Sequence, residues 1–317
     1  MPALRTQIDT SLTADNAEVR HSLVADYIEL FKLRVTTMIV ITGGAGFYLA
    51  SLKSEISPFN TGLLHALSGI AIVSCGASAL NQVMERRTDA LMQRTANRPL
   101  AAGRMSFAHG LILGFAAIVL GSLWLAQMNF LTGLLTLLTA IGYVAIYTPL
   151  KRITTLATFL GAFPGAMPPL LGWTAVRGQI EWPAVALFSI LFVWQFPHFM
   201  AIGWLYREQY GRAGIKVLPV TEPGGLSTVV EALTYAVLMI PVSLAPVYLH
   251  MDGKLYGVAA VLLGAGYLWF TIRFARITKA TEADSRVLAR NLLKASVIYL
   301  PLLLAAMMAD ATGKLIF

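Results

Sequence analysis

Nine apolar stretches, each close to 20 residues long, fill most of this 317-residue chain. They lie at about 35–52, 62–80, 107–127, 130–148, 154–174, 182–203, 229–249, 255–272 and 293–310. A helix needs roughly 20 apolar residues to cross the hydrocarbon of a bilayer. The runs do not alternate and are too long for strands, which argues against a barrel. The gaps between them leave no room for a soluble domain. Only 13% of residues are charged, against about 25% in soluble domains, and mean hydropathy is +0.68. The expected fold is therefore all-α: a bundle of nine transmembrane helices forming one domain, 28–317, after a cytoplasmic tail, 1–27. That tail holds Asp9, Asp15 and Glu18 and lacks the basic-then-apolar pattern of a cleaved signal. The first span is then its own insertion signal.

The formal net charge of +8 would suggest a nucleic-acid partner for a soluble chain. Here the bases sit in the short gaps, so topology explains them, and no nucleic acid is expected. With nine spans, twenty of the 24 Lys and Arg residues fall on one side, from Arg5, Arg20, Lys32 and Arg34 through to Lys294. Lys53, Arg177, Lys254 and Lys314 fall on the other. Positive charge marks the cytoplasmic side. The N-terminus and the basic loops are therefore expected in the cytoplasm, and the chain in a bacterial inner membrane. Cys75, the sole cysteine, lies in an apolar run, which excludes a disulfide framework and a cysteine zinc site.

Two basic-side loops, 81–106 and 205–228, also carry acids, which positive-inside sorting does not need. In the first, Asn81, Glu85 and Asp89 are four apart. If span two continues as a helix past the membrane edge, all three share a face. Such a face offers partial ligands for Mg²⁺, which takes one or two carboxylates and completes its shell with phosphate oxygens and water. Arg94 and Arg98 are also four apart and suit bidentate contact with phosphate. The combination points to a metal-bridged diphosphate. A solvated loop laced with salt bridges is the plainer alternative.

Asn-x-x-x-Glu-x-x-x-Asp after a second span resembles the first acidic motif of the UbiA-type intramembrane prenyltransferases. The string that follows, Met92-x-Arg94-Thr95-x-x-Arg98-Pro99-Leu100, resembles their heme O synthase branch. Tyr147-Thr-Pro-Leu-Lys151-Arg152 opens the third basic-side loop, and the Gly- and Pro-rich Gly161–Trp173 that follows is similar to a stretch of that branch. For that last segment the residues alone suggest close helix packing, and the resemblance suggests a kinked helix lining a cavity. In the second loop most of the superfamily carries Asp-x-x-x-Asp. Tyr206 and Tyr210 stand there instead, as in the heme O synthase branch, with Glu208 between them. Gln209 replaces an Asp usual in that branch, which puts a second Mg²⁺ in doubt and leans the diphosphate on Arg207, Arg212 and Lys216. A lone His in an apolar span, such as His198, is usually a hydrogen-bonded structural residue. The branch carries Pro-His-Phe here, and imidazole is a common ligand of heme iron, so a heme-orienting role stands beside the structural one.

The resemblance covers roughly residues 28–305. It implies farnesyl transfer from farnesyl diphosphate to a vinyl group of heme b, with water added, giving heme O. Mg²⁺ on Asn81, Glu85 and Asp89 would assist, Arg94, Arg98, Lys151, Arg152, Arg207, Arg212 and Lys216 would hold diphosphate, and the lipid bilayer would surround the site. A heme A synthase or an oxidase assembly factor is a candidate partner. Two rivals are a prenyltransferase acting on another aromatic or quinone precursor and a polytopic transporter of an anionic substrate.

Overall fold

The computed structural model describes residues 22–313. Residues 1–21, with Arg5 and Arg20, lie outside the described residues, as does Lys314. The described chain contains helices and connecting turns and no strand. A short helix α1 (Leu23–Leu30) comes first, inside the last residues of the expected tail. Its Leu30 is fully buried, and Gln82 donates to the carbonyls of Glu29 and Leu30. Asp26 pairs with Arg104 at 2.7 Å. Among the described residues, packing thus includes α1, ahead of the first long helix.

The long helices follow: α2 (Leu33–Lys53), α3 (Thr61–Asp89), α4 (Phe107–Ala126) and α5 (Phe130–Leu150). After them come α6 (Ala157–Arg177) and α7 (Trp182–Leu205). Two short helices, α8 (Arg207–Arg212) and α9 (Leu218–Thr221), lead to α10 (Leu226–Tyr248), α11 (Lys254–Phe274) and α12 (Glu282–Gly313). Local chemistry sets several starts. Asn60, Ser106 and Asn129 accept hydrogen bonds from Leu63, His109 and Thr132 amides, capping α3, α4 and α5. Gly178 ends α6 at φ +66°, a conformation that costs glycine little.

Eight of these helices are long and apolar enough to cross a membrane. The ninth expected span, α6, has the required 21 residues, but its glycines and three internal prolines dilute its hydropathy. It packs on α2, α5 and α7, with its second half largely buried and Phe159 and Phe163 exposed in its first half. Successive long helices touch from α2 round to α12, and α12 returns to α2. Large apolar side chains such as Leu64, Ile112, Leu120, Leu262 and Ile298 are exposed on the outside, as a lipid-facing surface requires.

Two departures from regular helix matter for the site. α3 runs on to Asp89, well beyond the expected end near residue 80. α5 widens into a π turn over Gly142–Tyr147, just ahead of Pro149, which has no amide to return to the helix. The Tyr143 carbonyl accepts from the Thr148 amide in the π turn and from the Thr148 hydroxyl at 2.9 Å.

Candidate active site

The overhang of α3 puts Asn81, Glu85 and Asp89 on one face at the basic end of the bundle. They are 1%, 7% and 1% exposed, so none is a solvated loop residue. Buried carboxylates need partners, and each has a cation. Asp89 accepts from Arg98 at 2.8 Å, and Glu85 pairs with Lys151 at the end of α5. Lys32, ahead of α2, donates to Asn81 Oδ1 at 2.6 Å, and Asn81 Nδ2 donates to Thr148 at 3.1 Å. The π turn is what aims Thr148 at Asn81. Thr95 closes the end of α3 by donating to the Asp89 carbonyl at 2.9 Å.

Three cations, Lys32, Arg98 and Lys151, thus crowd two carboxylates. Burial, with Arg98 nearby adding to it, pushes the Lys32 ammonium down to about 7. Such a cluster is short of negative charge and suits an added anion. An amide oxygen and two carboxylates on one face also suit a hard cation that takes its remaining oxygens from substrate and water. Among the described residues no group of three or more His, Cys, Asp or Glu gathers, so any ion here has to complete its shell in that way.

The two acid-bearing loops fold onto each other. Met92 is buried with Ala213 and Ile215, with Tyr210 and Val217 alongside. The Arg94 guanidinium lies 5.1 Å from the centre of the Tyr206 ring and 5.9 Å from that of Tyr210. Its amide donates to Gln209 Oε1 at 3.2 Å. Arg98, Lys151 and Arg94 are therefore brought together as expected. Arg207 and Glu208 are not: Arg207 pairs with Glu282 and Glu208 with Arg286, both on α12. Arg152, Arg212 and Lys216 are exposed, and the Lys216 amide donates to the Lys151 carbonyl at 2.8 Å.

His198 faces α12. Its Nδ1 lies 2.8 Å from Ser296 Oγ, and its ring stacks on Trp194 at 4.7 Å. Ser296 Oγ already donates to the Leu293 carbonyl at 2.6 Å. With that donation, the tautomer that pairs with Ser296 is the one with its hydrogen on Nδ1 and its lone pair on Nε2.

The sequence reading missed Lys32 as a site residue, treating it as a topology charge. It also missed Thr148 and Ser296, whose partners lie 67 and 98 residues away. The only local hint for Lys32 was its place directly before the first span.

The UbiA prenyltransferase family model matches residues 38–295 of this chain. The chain belongs to the UbiA prenyltransferase family. Among curated members, a protoheme IX farnesyltransferase of Koribacter versatilis is 49% identical over 293 residues, covering 92% of this chain and 94% of that one. One of Solibacter usitatus is 42% identical, covering 91% and 99%. Solved UbiA-fold structures agree in architecture. A digeranylgeranylglyceryl phosphate synthase superposes with a TM-score of 0.74 at 18% identity, covering 92% of this chain and 99% of its own. A UbiA homologue from Archaeoglobus fulgidus, bound to DMAPP and Mg²⁺, gives 0.67 at 18% identity over 90% and 99%.

Proposed function

We propose that this UbiA-family enzyme transfers the farnesyl group of farnesyl diphosphate to a vinyl carbon of heme b, with addition of water, giving heme O. The observation that carries the reading is the 49% identity, over nearly the whole of both chains, to a protoheme IX farnesyltransferase. The geometry supports it. Asn81, Glu85 and Asp89 would hold Mg²⁺ against the donor's phosphate oxygens. Lys32, Arg94, Arg98 and Lys151 neutralise the rest of the diphosphate. When bound, the metal draws charge from the departing diphosphate. The cations do the same from the positions their partners give them, which is electrostatic stabilisation of the transition state. No nucleophilic side chain is needed: the allylic carbon is attacked by the vinyl group, and water then captures the porphyrin-stabilised cation.

His198 Nε2, with its lone pair held available, serves as a ligand for heme iron. The basic end of the bundle faces the cytoplasm of a bacterial inner membrane, with Arg152, Arg212 and Lys216 at the donor's entrance. The deciding experiment is mass analysis of hemes from cells overexpressing the chain. Accumulation of heme O is the expected result. Heme b alone, from a well-expressed and inserted protein, would overturn the assignment.

A further inference from the structure

At 206 and 210 this chain carries tyrosines where most of the superfamily has an acidic pair, and the structure shows what those rings do. Both rings lie to one side of the Arg94 guanidinium, with centroids at 5.1 and 5.9 Å from it and 6.4 Å from each other. The Tyr210 hydroxyl is 3.4 Å from a terminal nitrogen of Arg94. Gln209, the residue between them that departs from the heme O synthase pattern, accepts from the Arg94 amide. Among the described residues Arg94 pairs with no carboxylate. Glu208, the one carboxylate of the Tyr206–Arg212 stretch, is turned away onto Arg286 at 2.9 Å. The donors that a second divalent ion needs are absent from this half of the site, and a fixed cation stands in it.

We infer that the site binds diphosphate with one divalent ion and one guanidinium: Arg94, seated against the Tyr206–Tyr210 pair, takes the place of a second metal. The inference rests on the diphosphate-binding reading above. An aromatic face attracts a cation through its ring quadrupole and also fixes the plane of the guanidinium. The Arg94 side chain is exposed, and a planar fork seated against the ring pair offers two parallel N–H donors to phosphate oxygens. The location is right for this. Arg94 and Lys151 both lie within electrostatic reach of the Tyr210 hydroxyl, whose pKa burial raises. Lys151 in turn pairs with Glu85 of the acidic face. The two halves of the site are therefore contiguous, with the acidic face offering metal ligands and the aromatic pair offering a cation. Tyr206 and Tyr210 are positioning residues in this scheme, and Arg94 touches the substrate.

The test counts ions and uses neither heme nor a prenyl chain. Purified full-length protein in detergent is titrated with Mn²⁺ in the presence of inorganic pyrophosphate. One bound Mn²⁺ per chain is expected, and two would overturn the inference. Pyrophosphate affinity is then compared across variants at saturating Mn²⁺. Arg94→Ala should weaken it about tenfold with the ion count unchanged. An unaltered affinity would overturn the role of the guanidinium. Replacing both tyrosines with Leu should weaken binding several-fold more than replacing both with Phe, because Phe keeps the ring face. Equal losses in the two double variants would overturn the role of the rings. Heme O formation is read separately. Two bound ions in a chain that makes heme O sink this inference and leave the reaction standing. One ion in a chain that makes none supports the inference while sinking the reaction.

Discussion

At the scale of single residues, the acidic face is a set of buried charges whose partners are all visible. Asp89 is 1% exposed and bonded to Arg98. Asp89→Asn keeps the shape and removes the charge, so it should leave the protein inserted and cut Mg²⁺-dependent turnover by about 100-fold or more. Heme O formed at the wild-type rate would remove Asp89 from the metal site. A second residue-scale prediction concerns Ser296. Its hydroxyl lies 2.8 Å from His198 Nδ1 and donates to the Leu293 carbonyl at 2.6 Å, and in the proposed reading His198 Nε2 is the ligand atom. Partners behind a metal-binding His typically set affinity by 10- to 100-fold. Ser296→Ala should therefore weaken heme binding by about tenfold and change the axial-ligand absorption, while binding of farnesyl diphosphate with Mg²⁺ is retained. His198→Ala should abolish that spectral signature. An unchanged heme spectrum in both variants would make His198 a packing residue. Parts of this were legible in the sequence and parts were not. The i, i+4 spacing of Asn81, Glu85 and Asp89 is a local signal and survives into the fold. Their partners Lys32, Thr148 and Lys151 arrive from two other helix ends, the start of α2 and the end of α5, a tertiary fact that no local pattern encodes.

At the scale of helices, α6 decides how tightly the bundle closes. It is helical through three prolines, which neighbouring helices tolerate by supplying new packing. Of the two readings of its small residues, the structure displays the packing one at Gly172. A Cβ there would collide with the carbonyl of Gly43 on α2, and one on Gly46 would collide with that of Pro169. The two backbones touch. Gly172→Leu must push α2 from α6, and overpacking of this kind costs about 1–3 kcal/mol. A melting temperature in detergent several degrees below wild type is expected, and an unchanged one would show that the crossing has slack. On the far side, Glu181 clips α6 to α7: it accepts from Arg177 at 3.0 Å and from the Trp173 indole at 2.9 Å. Arg177 foremost, with Trp173 and Lys53, holds the Glu181 carboxyl below the usual carboxylate range. A depressed folded pKa gives stability that is present above the unfolded value and lost as pH falls through the folded one. Glu181→Gln should cost up to about 1 kcal/mol at neutral pH after allowing for solvent screening. The two proteins should converge in stability below the carboxylate range, and a gap that persists there would put the effect down to packing. The hydropathy pattern located the spans to within a few residues. It could not show that α3 overhangs to Asp89 or that α12 starts at Glu282, since both extensions are held by contacts with other loops.

At the scale of the whole molecule, the charge asymmetry read from the sequence becomes two chemically different ends. One end carries the acidic face and both paired loops; the other carries Lys53, Arg177 and Glu181. With Cys75 replaced by Ser, Gln179→Cys should react with a membrane-impermeant maleimide in intact cells, and Lys279→Cys only after permeabilisation. The reverse pattern would invert the proposed topology. The ion pairs at the basic end have a thermodynamic corollary. Because Lys151 and Arg98 already neutralise Glu85 and Asp89, a metal ion arriving alone must displace cations that have nowhere else to go. Arriving with a diphosphate, it releases those same cations onto an anion. Ion and donor are then strongly linked ligands, and linkage is reciprocal: each raises the other's affinity by the same factor. The resting enzyme should hold Mg²⁺ weakly even where the ion is abundant and fill its site only when a donor comes with it, so that prenyl diphosphate supply, rather than metal, sets its occupancy.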